Sequence, residues 1–245
     1  MGAQEENQRV FDFLRKRMKF VDTYDGFEAW GAWGPVVDAL STIHAHRLSR
    51  ETKKNRECFQ TGMIELVRFV DLRTISVPLL FHSLHRSAAT SPESALIFSA
   101  LFGMLGTELA PRGQIWSASK DLEWADRIAK TATSATSKVA KTFRDVSYAS
   151  ILYTEYRCPL VHGLDFGWRT WTNSENGSGS CDDAPSYMNC FYAPGDPRPA
   201  QHQVRFRISF SRGFLGRVLR DMIDNEEAEC AATGWSIGRY PTRTG

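Results

Sequence analysis

Within the run Tyr156-Arg157-Cys158-Pro159-Leu160-Val161-His162-Gly163, an arginine and a histidine stand five positions apart. Upstream of Arg157, apolar or small residues recur at Val139, Phe143, Val146, Ser150 and Tyr153, in steps of four and three. Those steps mark the buried stripe of one long amphipathic helix, and Arg157 falls on its next step. A guanidinium keeps its charge and is costly to bury unless an anion meets it. The partner is either an internal acid, with Glu65, Asp71 and Glu155 as candidates, or the phosphate of a substrate.

The flanking residues refine this chemistry. Pro159 has no N–H for the carbonyl of Glu155, so the helix loosens there, and Gly163 suits the left-handed position that ends it. His162 then lies in the last turn, where the helix dipole favours imidazolium. Residues five apart on a straight helix point about 140° from each other. A kink and the reach of arginine would let both meet one phosphate. A titratable imidazole beside a fixed cation is what cleavage of a phosphodiester by a neighbouring hydroxyl requires. One group moves protons and the other neutralises the pentacoordinate phosphorus.

Arg157-x-x-x-x-His162, on the last helix of an all-helical core with Tyr153 and Tyr156 just before it, resembles the signature of HEPN domains. The resemblance implies a helical bundle in which two such motifs meet across a homodimer. Many HEPN proteins are metal-independent ribonucleases of toxin–antitoxin and phage-defence systems. By that resemblance His162 would move the proton of the attacking 2′-hydroxyl or of the leaving group, and Arg157 would stabilise the phosphorane. No cofactor or metal is implied, products would carry 2′,3′-cyclic phosphates, and an antitoxin or defence-system protein is the implied partner. Cys158 stands where the family commonly has a polar residue such as Asn. The second reading is therefore a HEPN-like binding or assembly module that does not cleave.

The elements that must position the pair follow from periodicity. The fold class expected is mainly α, a HEPN-like helical bundle with a C-terminal β-hairpin-plus-helix appendage. Residues 1–166 would form the core, and residues 167–245 the loop, hairpin and closing helix packed on it. Helices are expected over residues 5–20, from Pro35 as a first helical position, and from residue 53 with Phe59, Met63, Leu66, Val67 and Val70 on one stripe. Further helices are expected after Pro78, over 92–109, over 119–135 and from residue 137. Residues 170–185 read as a loop. Two strand-like runs, 187–193 and 203–210, follow, and the second alternates Val204, Phe206, Ile208 and Phe210 against Arg205, Arg207 and Ser209. The last helix, 213–229, carries Phe214, Leu215, Val218, Leu219, Met222 and Ile223 as its stripe.

At 245 residues the chain is long enough for a sizeable core, and its net charge of +2 favours no partner. The distribution says more. Arg198, Arg205, Arg207, Arg212, Arg217 and Arg220 fall in a stretch without an acid. Arg205, Arg207 and Arg212 are the candidate RNA contacts, since such a surface tracks a phosphate backbone without reading bases. Arg9, Arg15, Lys16, Arg17 and Lys19 on the first helix form a second basic cluster. Five scattered cysteines match neither a disulfide framework nor a zinc pattern, and the start has no secretory h-region, so a cytoplasmic setting is expected. The uncharged stretches are shorter than a membrane span, so no membrane partner is expected. The pairs His44/His46 and His82/His85 lack further ligands at metal-binding spacing.

Overall fold

The computed structural model describes residues 2–23, 27–50, 55–105, 116–133, 137–158, 184–190 and 205–239. In chain order its elements begin with α1 (Ala3–Thr23), α2 (Phe27–Arg47), α3 (Asn55–Leu66), α4 (Val77–Ala88) and α5 (Pro92–Leu105). They continue with α6 (Ala118–Thr133), α7 (Ser137–Asp145) and α8 (Tyr148–Ile151), which runs into a π-helical turn, Leu152–Arg157. Strands β1 (Ser186–Cys190) and β2 (Arg205–Ser209) pair antiparallel, with Tyr187 opposite Ile208, and α9 (Arg212–Thr233) follows. The class is mainly α with a small sheet near the C-terminus and a helix after it, as the periodicities predict.

The central helix is α2, which packs against α1, α3 and α9. It buries Trp33, Val36, Val37, Leu40 and Ile43, and α3 answers with Phe59, Met63 and Leu66. Gly62 decides how closely the two approach. A Cβ there would lie 2.7 Å from the backbone Cα of Ser41, inside any real contact. The closeness lets the Cys58 thiol donate to the Ser41 carbonyl at 3.3 Å. On the other side α9 presents Phe214, Leu215, Val218, Leu219, Met222 and Ile223 to the same core, together with Ile208 and Phe210 from the end of the sheet.

Three expectations need correction. Pro35 is not the start of α2 but lies inside it. A proline obstructs a helix through the Cβ of the residue before it and through the lost bond to the carbonyl four back. Here the preceding residue is Gly34, and Gly31 lies on the exposed side, where water can serve its carbonyl. The α3 stripe stops at Leu66 instead of running through Val70. Asn225 of α9 donates to the Leu66 carbonyl at 2.7 Å, and Asp221 accepts the Arg68 and Phe69 N–H groups at 2.8 and 3.1 Å. Those side chains take the backbone partners that another helical turn would use. Finally, the long helix expected from residue 137 to the motif is broken at Val146 and Ser147. The segment before α4 takes over the hydrogen bonding: Ser76 N–H reaches Val146 O, Tyr148 N–H reaches Thr74 O, and Ala149 N–H reaches Leu72 O, each at 3.0 Å. Ser147 then caps α8 through its hydroxyl. The stripe survives the break, with Val139, Phe143, Val146 and Ser150 all buried.

One carboxylate fixes where this junction sits. Asp121 of α6 is fully buried. Its Oδ1 accepts the Val77 N–H at the start of α4 (2.9 Å) and the Trp116 indole N–H (2.8 Å). Its Oδ2 accepts the Tyr148 hydroxyl of α8 (2.7 Å) and the Tyr187 hydroxyl of β1. Burial pushes the Asp121 carboxyl up, against the pull of these donors. Asp121→Ala strands four buried donors and is expected to cost about 3–5 kcal/mol in urea unfolding. Asp121→Asn keeps an acceptor without the charge and should cost no more than about 1–2 kcal/mol. Equal losses would show that the hub is held by packing alone.

Candidate functional site

Arg157 is the last residue of the π-turn, in which the Cys158 N–H reaches back to the Tyr153 carbonyl. Such a turn holds one residue more than an α turn and re-aims the side chains that follow. The preceding residue anchors it: Tyr156 is fully buried, and its hydroxyl accepts the Phe210 N–H at 3.1 Å. The Phe210 ring meets those of Tyr156 and Tyr148 edge-on, with centroids at 5.5 and 5.8 Å. The end of the hairpin thus clamps the turn that carries Arg157.

The guanidinium donates from Nε (3.1 Å) and Nη2 (2.9 Å) to one oxygen, Oδ2 of Asp38 on α2. It lies over the Tyr153 ring, 5.4 Å from the centroid. That ring is edge-on to Phe59 (5.2 Å), which is edge-on to Trp33 (5.8 Å). The aliphatic stem runs beside Gly34, and the side chain is only 12% exposed. Burial opposes the charge, but the Asp38 bond outweighs it and leaves the guanidinium more firmly protonated than usual. Burial and the adjoining Cys158 thiol push the Tyr153 phenol up.

The anion demanded by the apolar stripe is therefore supplied by the protein, and it is none of the three acids the sequence offered. Glu65 binds His44 and Arg50, Asp71 accepts the Arg73 N–H within its own turn, and Glu155 is buried on the π-turn. Asp38 gave no sequence signal, because it lies across the fold, between the stripes of α2.

His162 lies outside the described residues, so the structure places one member of the pair. Arg205 and Arg207 are on β2, opposite Cys190 and Met188, and their side chains are outside the described residues. Arg212 opens α9 and is exposed. Arg217 is half-buried and lies over the Phe69 ring at 4.3 Å.

A second charged constellation went unread in the sequence. His44 of α2 bridges two carboxylates: Nδ1 is 2.7 Å from Glu226 of α9, and Nε2 is 2.7 Å from Glu65 of α3. Arg47 binds Glu226 at 2.8 Å and faces Glu229 at 3.5 Å, Arg50 binds Glu65 at 2.8 Å, and the buried Cys230 thiol faces Glu226 at 3.7 Å. Glu226 is fully buried and stands one step beyond Met222 and Ile223 on the stripe of α9. The rule that singled out Arg157 would have found it. Burial lowers the His44 pKa, yet its two carboxylates win and hold it above the usual value. Burial likewise works against ionised Glu226 and Glu65, and their cationic partners hold both below the usual range.

Among the described residues no group of three or more His, Cys, Asp or Glu side chains is arranged to hold a metal ion. His85 packs against Phe98, with centroids at 5.0 Å. No described helix is long and apolar enough to cross a membrane. Comparisons with protein-family models, curated proteins and solved structures gave no match for the chain.

Because Asp38 remains partly exposed, Arg157→Ala should cost only about 1–2 kcal/mol of stability, and Asp38→Ala a similar amount. The double variant should lose little beyond either single one, a non-additivity that urea unfolding of all three will measure. The His44 seam predicts a pH dependence. The folded-state pKa of His44 is raised, so its contribution is complete below about pH 6.5 and is lost as pH rises through the folded value. Those of Glu65 and Glu226 are lowered, so their contribution is complete above about pH 4.5 and is lost as pH falls through the folded values. The stability difference between the parent and His44→Gln should be larger at pH 5.5 than at pH 8.5. A difference independent of pH would mean that His44 bridges the carboxylates as a neutral ring.

Proposed function

We propose that this chain is a metal-independent endoribonuclease of the HEPN type, acting as a homodimer in a toxin–antitoxin or phage-defence setting. The observation that carries the reading is the mounting of Arg157. A guanidinium held on one edge by a single carboxylate oxygen, and on its face by Tyr153, has its direction set before any substrate arrives. A cation oriented in advance needs no reorganisation as charge builds on a phosphorane, which is where electrostatic catalysis gains most. In this mechanism Asp38 is a positioning residue and Arg157 neutralises the non-bridging phosphate oxygens. His162 takes the 2′-hydroxyl proton or returns one to the leaving 5′-oxygen, leaving a 2′,3′-cyclic phosphate. Arg205, Arg207 and Arg212 would contact the RNA backbone, and the second protomer would complete the cleft.

The same geometry favours a second reading. Asp38 already neutralises Arg157, and a thiol, Cys158, follows it. In that reading the pair is architectural, and the chain is a HEPN-like binding or assembly module that no longer cleaves.

One assay separates them. Purified protein incubated with RNA in EDTA should produce fragments ending in 2′,3′-cyclic phosphate. Arg157→Ala and His162→Ala should each reduce the rate by at least about 100-fold. Asp38→Asn should lower kcat with little change in KM, because it loosens the cation without removing it. Intact RNA with the parent protein, alongside a stable homodimer in sedimentation, would decide for the assembly module.

A further inference from the structure

The outer face of α1 is built unlike an ordinary solvated helix. Its buried side carries Phe11, Leu14 and Val21, yet Phe13 and Phe20 on the far side are 53% and 43% exposed. The guanidinium of Arg17 lies between them, 5.2 Å from the Phe13 centroid and 5.9 Å from that of Phe20. At about 100° per residue, Arg9, Phe13, Lys16, Arg17 and Phe20 fall within an arc of about 100° on the solvent side of the helix. Asp12, the acid in this stretch, lies outside that arc and is engaged by Gln8 at 3.1 Å and Arg15 at 3.9 Å. Arg15 itself turns away from the arc to Glu227 and Asp224 of α9. What points outward is a strip of three cations and two phenyl rings, with the exposed Glu5 at its edge, 3.9 Å from Arg9.

We infer that this strip is a docking track for single-stranded RNA, with bases stacked on Phe13 and Phe20 and the backbone neutralised by Arg9, Lys16 and Arg17. The inference rests on the ribonuclease reading above and gives that activity its substrate class. Aromatic rings interleaved with cations suit a flexible single strand, whose bases offer open faces, whereas a duplex keeps its base faces stacked inside. A second copy of the chain fits poorly, since it would set this positive charge against itself.

The test is fluorescence anisotropy of a labelled oligouridylate with the full chain in EDTA, with cleavage followed in the same samples. Phe13→Ser combined with Phe20→Ser should weaken binding by at least about tenfold, while binding of an RNA duplex stays nearly unchanged. Lys16→Glu combined with Arg17→Glu should weaken binding and flatten its salt dependence. Both pairs are on the surface, and unchanged melting temperatures will show that the fold is retained. Oligouridylate affinity within about twofold of the parent in the phenylalanine variant would overturn the track even if the parent cleaves RNA. So would a parent that binds anionic phosphatidylglycerol vesicles but no RNA. A parent that binds oligouridylate through the strip without cutting it keeps the track and removes the ribonuclease.

Discussion

A buried carboxylate must satisfy every donor aimed at it, and Asp121 meets this demand for four segments at once. The start of α4, Trp116 just ahead of α6, the first residue of α8 and the second residue of β1 all converge on its two oxygens. With Tyr148 tied there, α8 can begin only where it does, and the π-turn follows directly from α8. With Tyr187 tied there, β1 fixes β2, whose end holds Tyr156 through Phe210. The position of Arg157 is therefore set from both sides by one residue that never approaches it. A fully satisfied network of this kind specifies one arrangement because each alternative leaves a donor unpaired in a low-dielectric interior.

The elements that could be read along the chain were those whose information is local. The stripe of α9 shows as apolar residues in steps of three and four, and β2 shows as a two-residue alternation. What could not be read was set by contacts between distant segments. The break at Ser147 depends on backbone groups of residues 72–76, far upstream. The early end of α3 depends on Asp221 and Asn225 of α9. Pro35 misled because two glycines ease it inside a helix: Gly34 before it has no Cβ, and the Gly31 carbonyl four back faces solvent.

For the candidate site the same division holds. That Arg157 requires an anion follows from its place on an apolar stripe, and the structure bears that out. Which anion it takes does not follow, because Asp38 stands 119 positions away on another helix. Glu226 is the mirror case, an acid on an apolar stripe that requires a cation and receives His44 and Arg47. Two charges of opposite sign are thus set into the two faces of one helix, α2, through Asp38 on one turn and His44 on a later one. Glu226, fully buried, would not tolerate hydrophobic residues in place of its partners without leaving a charge in the core.

The π-turn has a consequence for how this protein can vary. Each such turn contains one residue more than an α-helix covering the same span, so the segment from Leu152 to Arg157 behaves as a one-residue insertion absorbed without a loop. Deleting a single residue there would let the segment relax to an ordinary helix with little change in the phase of whatever follows, whereas the same residues wound as α-helix would swing it by about 100° around the axis. Only in the second case would Arg157 leave Asp38 and Tyr153, while Tyr148 and the hub upstream kept their places. The phase of the guanidinium is therefore separable from the stability of the bundle. A length change that would be ruinous in α2 is absorbed at this turn, so the guanidinium keeps its direction and the scaffold stays as it was.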